Sequence, residues 1–160
     1  MELLIVIVVI AILATISIVA FNGVQARARD AQRQTDLSNV AKAMKMYKID
    51  KGGYPNTSTG CASGSGGGGN GWLGNKYGYT YSVGECLVAN KYLSSNIVDP
   101  SGLTSCSGAD CHAYMVYDCG TSAWLMANLE TEPQNSTATD GKCASSWDTA
   151  YGINYLVQLH

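Results

Sequence analysis

Apolar and polar positions follow three successive patterns along this chain. From Leu3 to Phe21, nineteen residues carry no charge, and only Thr15 and Ser17 interrupt the apolar run. As a helix this stretch is about 28 Å long, close to the hydrocarbon thickness of a bilayer, and the two hydroxyls can bond back to their own helix. After Asn22-Gly23, a weak point costing about 1 kcal/mol of helix, the pattern changes without a proline. Val24, Ala28, Ala31, Thr35, Leu37, Val40, Ala41, Met44 and Tyr47 recur at three- and four-residue steps. Arg27, Arg29, Asp30, Arg33, Asp36, Lys42, Lys45 and Lys48 fill the other faces. That periodicity predicts an amphipathic helix, ended near Lys51 by Gly52-Gly53. The two segments read as one rod, about 75 Å long if straight. Its second half has a one-sided apolar stripe and so expects a domain to pack on.

The third pattern is short and strand-like. Gly52–Asn75 is turn-rich and contains GSGGGGNG at Gly64–Gly71. Glu85–Tyr92 predicts a short helix and Val98–Pro100 a turn, while Ala113–Cys119, Ala123–Leu129 and Ile153–Leu159 alternate as strands do. Helix first and sheet afterwards, without βαβ alternation, predicts an α+β fold: a long N-terminal helix packed on a small antiparallel sheet in a disulfide-bonded head. The expected division is 1–23 for a membrane-spanning helix, 24–51 for its amphipathic continuation and 52–160 for the head.

Charge divides along the same line. Residues 1–51 hold seven Lys/Arg against four Asp/Glu, a balance of +3; residues 52–160 hold three Lys against eight Asp/Glu, a balance of −5. A basic rod therefore carries an acidic head, which opposes the electrostatics that nucleic-acid backbone binding needs. Six cysteines in 160 residues read as up to three disulfides in an oxidising compartment. Of the fifteen pairings open to six cysteines, the expectation is Cys61–Cys86, Cys106–Cys111 and Cys119–Cys143.

Candidate chemistry does not converge on a catalytic site. The glycine run lacks the Gly-Lys-Ser/Thr of a phosphate-binding loop. The cysteine spacing lacks the paired Cys-x-x-Cys of a zinc site, with only His112 and His160 to help. CSGADCH, Cys106–His112, is only superficially like a haem attachment. Asp99, Asp110, Asp118, Asp140 and Asp148 are scattered, which leaves a calcium site open as the one metal alternative. No cofactor and no enzyme activity are expected. Asn56 and Asn135 head glycosylation-type triplets, and Thr57, Ser136 and Thr137 beside them would suit O-linked sugar. The tyrosines and tryptophans read as packing for the head and its contacts.

Glu2 is the unexplained residue: a carboxylate set against nineteen uncharged positions, with no cation in the next twenty. An ionised carboxylate in lipid or a protein core costs several kcal/mol unless a cation meets it. The length of the apolar run, and the poor cleavage site in IVAFNGVQ, set it apart from a signal peptide. An ordinary anchor would place Arg27, Arg29 and Arg33 in the cytoplasm, against the cysteines' preference for the other side.

ELLIVIVVIAILATISIVAFNGVQARARDAQRQTDLSNVAKAMKMYKIDKGGYP resembles the N-terminal helix of type IV pilins and of the related pseudopilins of type II secretion. YLSSNIVDPSG, followed by HAYMVYDCGTSAWLMANLE, is similar to the loop and sheet of the pseudopilin type. The resemblance implies a helical homopolymer in which Glu2 neutralises the processed, methylated N-terminal amine of a neighbouring copy, with Leu3, Leu4 and Phe21 in the packed filament core. It further implies a prepilin peptidase, an inner-membrane platform and an assembly ATPase as partners. Location would be the inner membrane before assembly and the cell surface after it. Family members carry further residues between the cleavage site and this glutamate, so a leader and first mature residues are expected ahead of Met1. A Met1 amine left in place would instead allow a bond within the subunit. The helix either melts near Thr15–Gly23 or runs on continuously. A surface pilus for adhesion or twitching is favoured, with a secretion pseudopilus as the alternative and a monomeric anchored adhesin or binding module as a third reading.

Overall fold

The computed structural model describes residues 2–61, 70–76, 78–120, 122–144 and 146–159, apart from the side chains of Glu2, Val19 and Thr57. Most of the glycine run (Gly64–Gly69), Met1 and His160 lie outside the described residues. Helix α1 runs without a break from Glu2 to Lys51, through Asn22-Gly23. Gly52 ends it with φ +79° and an N–H donated to the Lys48 carbonyl, a left-handed stop that only glycine adopts freely.

Four strands follow as one antiparallel sheet in the order β1 (Gly71–Trp72), β2 (Met115–Asp118), β3 (Ala123–Ala127) and β4 (Tyr155–Leu159). The strands are two to three residues shorter than the alternation predicts, and β1 is too short to carry a periodic signal. Helix α2 spans Val83–Ala89 rather than Glu85–Tyr92. Ser82 accepts from the Glu85 N–H while Glu85 Oε2 accepts from the Ser82 N–H at 2.9 Å, so a capping box starts the helix early. The turn expected at Val98–Pro100 is centred one residue later, where the Gly102 N–H donates to the Asp99 carbonyl. Helix α3, Trp147–Tyr151, has no counterpart in the sequence reading.

Register explains the core. Val116, Leu125 and Val157 form one cross-strand row and face α1, where Leu37, Val40, Met44 and Tyr47 are buried. Met115, Met126 and Leu156 form the adjacent row on the opposite face, covered by Ile153, Ala144, Trp147 and Tyr151. Both faces of this sheet are therefore packed, and apolar side chains recur at successive strand positions. Disulfides join Cys61 to Cys86, Cys106 to Cys111 and Cys119 to Cys143.

The upper part of the predicted helix stripe is a correction. Leu37, Val40, Ala41, Met44 and Tyr47 do face the head, but Val24, Ala28, Ala31 and Thr35 face away from it and are exposed. Asp30, Arg33 and Asp36, assigned to the polar faces by periodicity, are buried in their place. The head supplies carboxylates to Arg33 and neutral hydrogen-bond donors to Asp30 and Asp36 at that level, so burying these groups does not leave them unpaired.

Candidate functional site

Two features of α1 stand out, an uncovered apolar half and a charged junction with the head. Every described side chain from Leu3 to Phe21 is exposed, Leu3 at 79% and Phe21 at 61%. Among the described residues this is the one helix long and apolar enough to cross a membrane. Thr15 Oγ1 and Ser17 Oγ donate to the carbonyls of Ala11 and Leu13 at 2.8 Å, which removes the last polar demand from the surface. The exposed apolar positions continue past Phe21 through Val24, Ala28 and Ala31 to Thr35, while Met46, 47% exposed, and Ile49, 81% exposed, lie beyond exposed Ser38, Asn39 and Lys42. An apolar surface this long is rare on a monomeric soluble protein and marks a lipid or protein contact.

At the junction Arg33 is fully buried and its guanidinium is surrounded by carboxylates. Nε donates to Asp99 Oδ2 at 2.6 Å, and Nη1 donates to Asp30 Oδ1 at 2.8 Å and to Glu130 Oε1 at 2.7 Å. Asp30 also accepts from the backbone N–H groups of Glu130 and Thr131 and from Thr131 Oγ1, at 2.7–2.9 Å. Arg29 Nε and Nη2 grip Glu130 from the solvent side. Asp99 is oriented by the N–H and hydroxyl of Ser101, the Asx geometry of the Asp-Pro-Ser-Gly turn. One turn further along α1, Tyr114 Oη donates to Asp36 Oδ2 at 2.8 Å.

The electrostatics follow from these partners. Burial pulls the Arg33 pKa down, but hydrogen bonds to Asp99, Glu130 and Asp30 outweigh it and the guanidinium is held charged. Hydrogen bonds from Arg29, opposed by burial and joined by Arg33, lower Glu130 to about 2. Burial works to raise Asp30, yet the Glu130 and Thr131 donors leave it lowered. Burial and Asp36 together push the Tyr114 phenol up. The arrangement fixes charge in place. Among the described residues no group of three or more His, Cys, Asp or Glu is placed to hold a metal ion, and Arg33 occupies the centre of the acidic set.

The sequence-derived candidates fall in different places. Glu2 lies in the first turn of α1, with its side chain outside the described residues; Leu3, Leu4 and Phe21 share the exposed apolar surface. Asn56 is half-buried, and its Oδ1 accepts from the backbone of Ser58 and Thr59 and from Ser58 Oγ. Asn135 is exposed beside exposed Ser136 and Thr137, and its Oδ1 accepts from Thr137 N–H and Oγ1. Sequence reasoning missed the buried charge cluster; its available signal was the Asp30–Arg33 spacing together with the Asp99-Pro100-Ser101-Gly102 turn.

Residues 21–81 match the family model of protein G of the type II secretion system. The matched stretch covers the second half of α1 and the connection to the start of α2. It supports the pilin and pseudopilin family, whose members are structural subunits. No curated protein and no solved structure matches the chain.

Proposed function

We propose that this chain is the structural subunit of an extracellular type IV pilus filament, polymerised through α1 from a pool held in the inner membrane. The observation that carries this reading is the uncovered half-helix: an exposed apolar surface from Leu3 to Phe21, continuous in one rigid rod with a helix that is buried on a folded head. In the membrane lipid covers that surface; in a filament the helices of other copies do. The exchange leaves hydrophobic free energy almost unchanged, because lipid and helix core are similarly apolar. Close packing, the pairing of Glu2 with a neighbour's amine and external work by the assembly machinery then give assembly its direction. A contact between different patches of identical copies does not close on itself and propagates as a fibre. A Gly-, Ser- and Thr-rich head surface with three disulfides suits long exposure outside the cell.

The secretion pseudopilus is the second reading, and the match to protein G of type II secretion is the observation that favours it. Negative-stain imaging of cells expressing the full chain separates the readings. Filaments micrometres long at normal expression support the surface pilus, short ones that appear only on overexpression support the pseudopilus, and a monodisperse membrane monomer overturns both.

A further inference from the structure

We infer that the groove between α2 and the Lys76–Tyr81 loop is a binding site for a small zwitterion, an α-amino acid with an apolar side chain. The inference goes beyond the polymer reading and does not depend on it. The cavity holds about 280 Å³, with an apolar floor of Val88, Ala89 and the Tyr81 ring. Ligand sites of about 300–1,000 Å³ share that plan, apolar walls with a few placed polar groups, so this one suits a single small molecule. Among the described residues only two charged side chains line it, Lys76 and Glu85, and their signs are opposite. No ion pair joins them, since the ion pairs among the described residues all involve Arg29 or Arg33.

The chain holds two of the polar groups in place. Glu85 belongs to the capping box of α2, where Oε2 accepts from the Ser82 N–H at 2.9 Å and Oε1 has no partner among the described residues. Asn96 lies against Gly84, where an added Cβ would collide with Asn96 Oδ1. Gly84 lacks the left-handed backbone that calls for glycine, and glycine inside a helix is destabilising relative to alanine. Asn96 returns no hydrogen bond to the described residues for that seat. A local rule broken without an internal gain marks a functional position. Lys76 opens a turn that the Tyr79 N–H closes on the Lys76 carbonyl at 2.7 Å.

The simplest alternative is a hydrated dip in the surface, because Lys76, Thr80, Tyr81 and Asn96 are all exposed. Hydration accounts for Lys76 and Thr80. It does not account for the Gly84–Asn96 seat, or for opposite charges kept apart over an apolar floor. An amino acid answers both. Its ammonium meets Glu85 and its carboxylate meets Lys76, while the Asn96 amide can accept from one or donate to the other. Its side chain displaces water from the floor. Two cavities along α1 offer no such pairing: both are lined by Asp36, whose oxygens accept from Gln32 Nε2 and Tyr114 Oη.

The test uses the full chain in deuterated detergent, with L-leucine as the probe and saturation-transfer NMR as the readout. Binding should saturate with a Kd of about 1 mM or below. N-acetyl-L-leucinamide keeps the side chain without either charge and should bind about tenfold more weakly. Lys76→Gln and Glu85→Gln should each cost about tenfold; the glutamine at 85 still offers the Ser82 N–H an acceptor. Gly84→Ala should displace Asn96 and weaken leucine with helix content unchanged by circular dichroism; if the head is disturbed, Asn96→Ala takes its place. The inference is overturned if L-leucine does not saturate, if the neutral derivative binds as tightly, or if either charge variant binds like the wild type. Methyl glucoside binding where leucine does not also overturns it, making the groove a saccharide site. Wild-type chains that bind leucine but form no filament overturn the polymer reading and leave this site standing.

Discussion

Arg33 and Asp99 lie 66 positions apart and meet in a fully buried ion pair, Nε to Oδ2 at 2.6 Å. The pair ties the middle of α1 to the Asp-Pro-Ser-Gly turn, while Glu130 and Thr131 tie the same helical turn to the end of β3. At the far end of the head, Tyr92 holds Asp50, and the Tyr47 ring meets the Tyr92 ring edge-on at 5.4 Å. The head is therefore clasped to the helix at two levels about 25 to 30 Å apart. Force applied to the exposed half of α1 passes into the head through both.

Arg33→Met should destabilise the head by about 3–5 kcal/mol, because it leaves Asp30 and Asp99 buried with their shared cation gone. Arg33→Lys should recover only part of the loss, since a single ammonium cannot reproduce the guanidinium fork. Urea unfolding of the detergent-solubilised chain, followed by tryptophan fluorescence, measures both. A loss below about 1 kcal/mol for Arg33→Met would show that the cluster is effectively hydrated.

Acid should loosen the same junction. Glu130 has a folded-state pKa of about 2, below its ordinary value near 4.5, and Asp30 is also lowered. Their stabilisation is complete above the unfolded-state values and is lost as pH falls toward 2. Arg29→Ala removes the largest contribution to the Glu130 shift. Its stability should lie below wild type above about pH 5, decline less steeply on acidification and converge with wild type near pH 2. A gap of constant size across that range in urea midpoints would refute the linkage.

Gly152→Ala should cost more than Gly120→Ala. Both glycines have left-handed backbones, φ +68° and +80°. That conformation alone costs an alanine about 1–2 kcal/mol. A Cβ at Gly120 meets open space, whereas at Gly152 it would run into the Ala109 carbonyl and lie 2.6 Å from Asn128 Nδ2. Equal thermal midpoints for the two variants would mean that the Cys106–Cys111 loop can move aside.

Glu2→Ala should insert in the membrane and fold its head, yet assemble poorly, with Glu2→Gln less affected because it keeps a hydrogen-bond acceptor. Truncating one side of a buried charge pair costs about 3–5 kcal/mol. Filament yield at matched protein level is the readout, and a wild-type yield from Glu2→Ala would reduce Glu2 to an interfacial flank.

What the sequence by itself determined was set by local rules. An uncharged run without proline, three- and four-residue spacing after it, and Gly52-Gly53 at the stop are enough to specify a fifty-residue helix, because each helical hydrogen bond closes within four residues. Alternation located β2, β3 and β4 for the same reason, since pleating is a two-residue property. The tertiary structure decided which way α1 faces between residues 24 and 36. Periodicity turned Val24, Ala28, Ala31 and Thr35 inward, on the premise that charges belong in water. Asp99 and Glu130, supplied by segments far along the chain, reversed that choice by satisfying Arg33, and Thr131 with the Glu130 backbone did the same for Asp30. A buried charge is tolerable only when its partners arrive in three dimensions, and no spacing rule within a single helix reports whether they do.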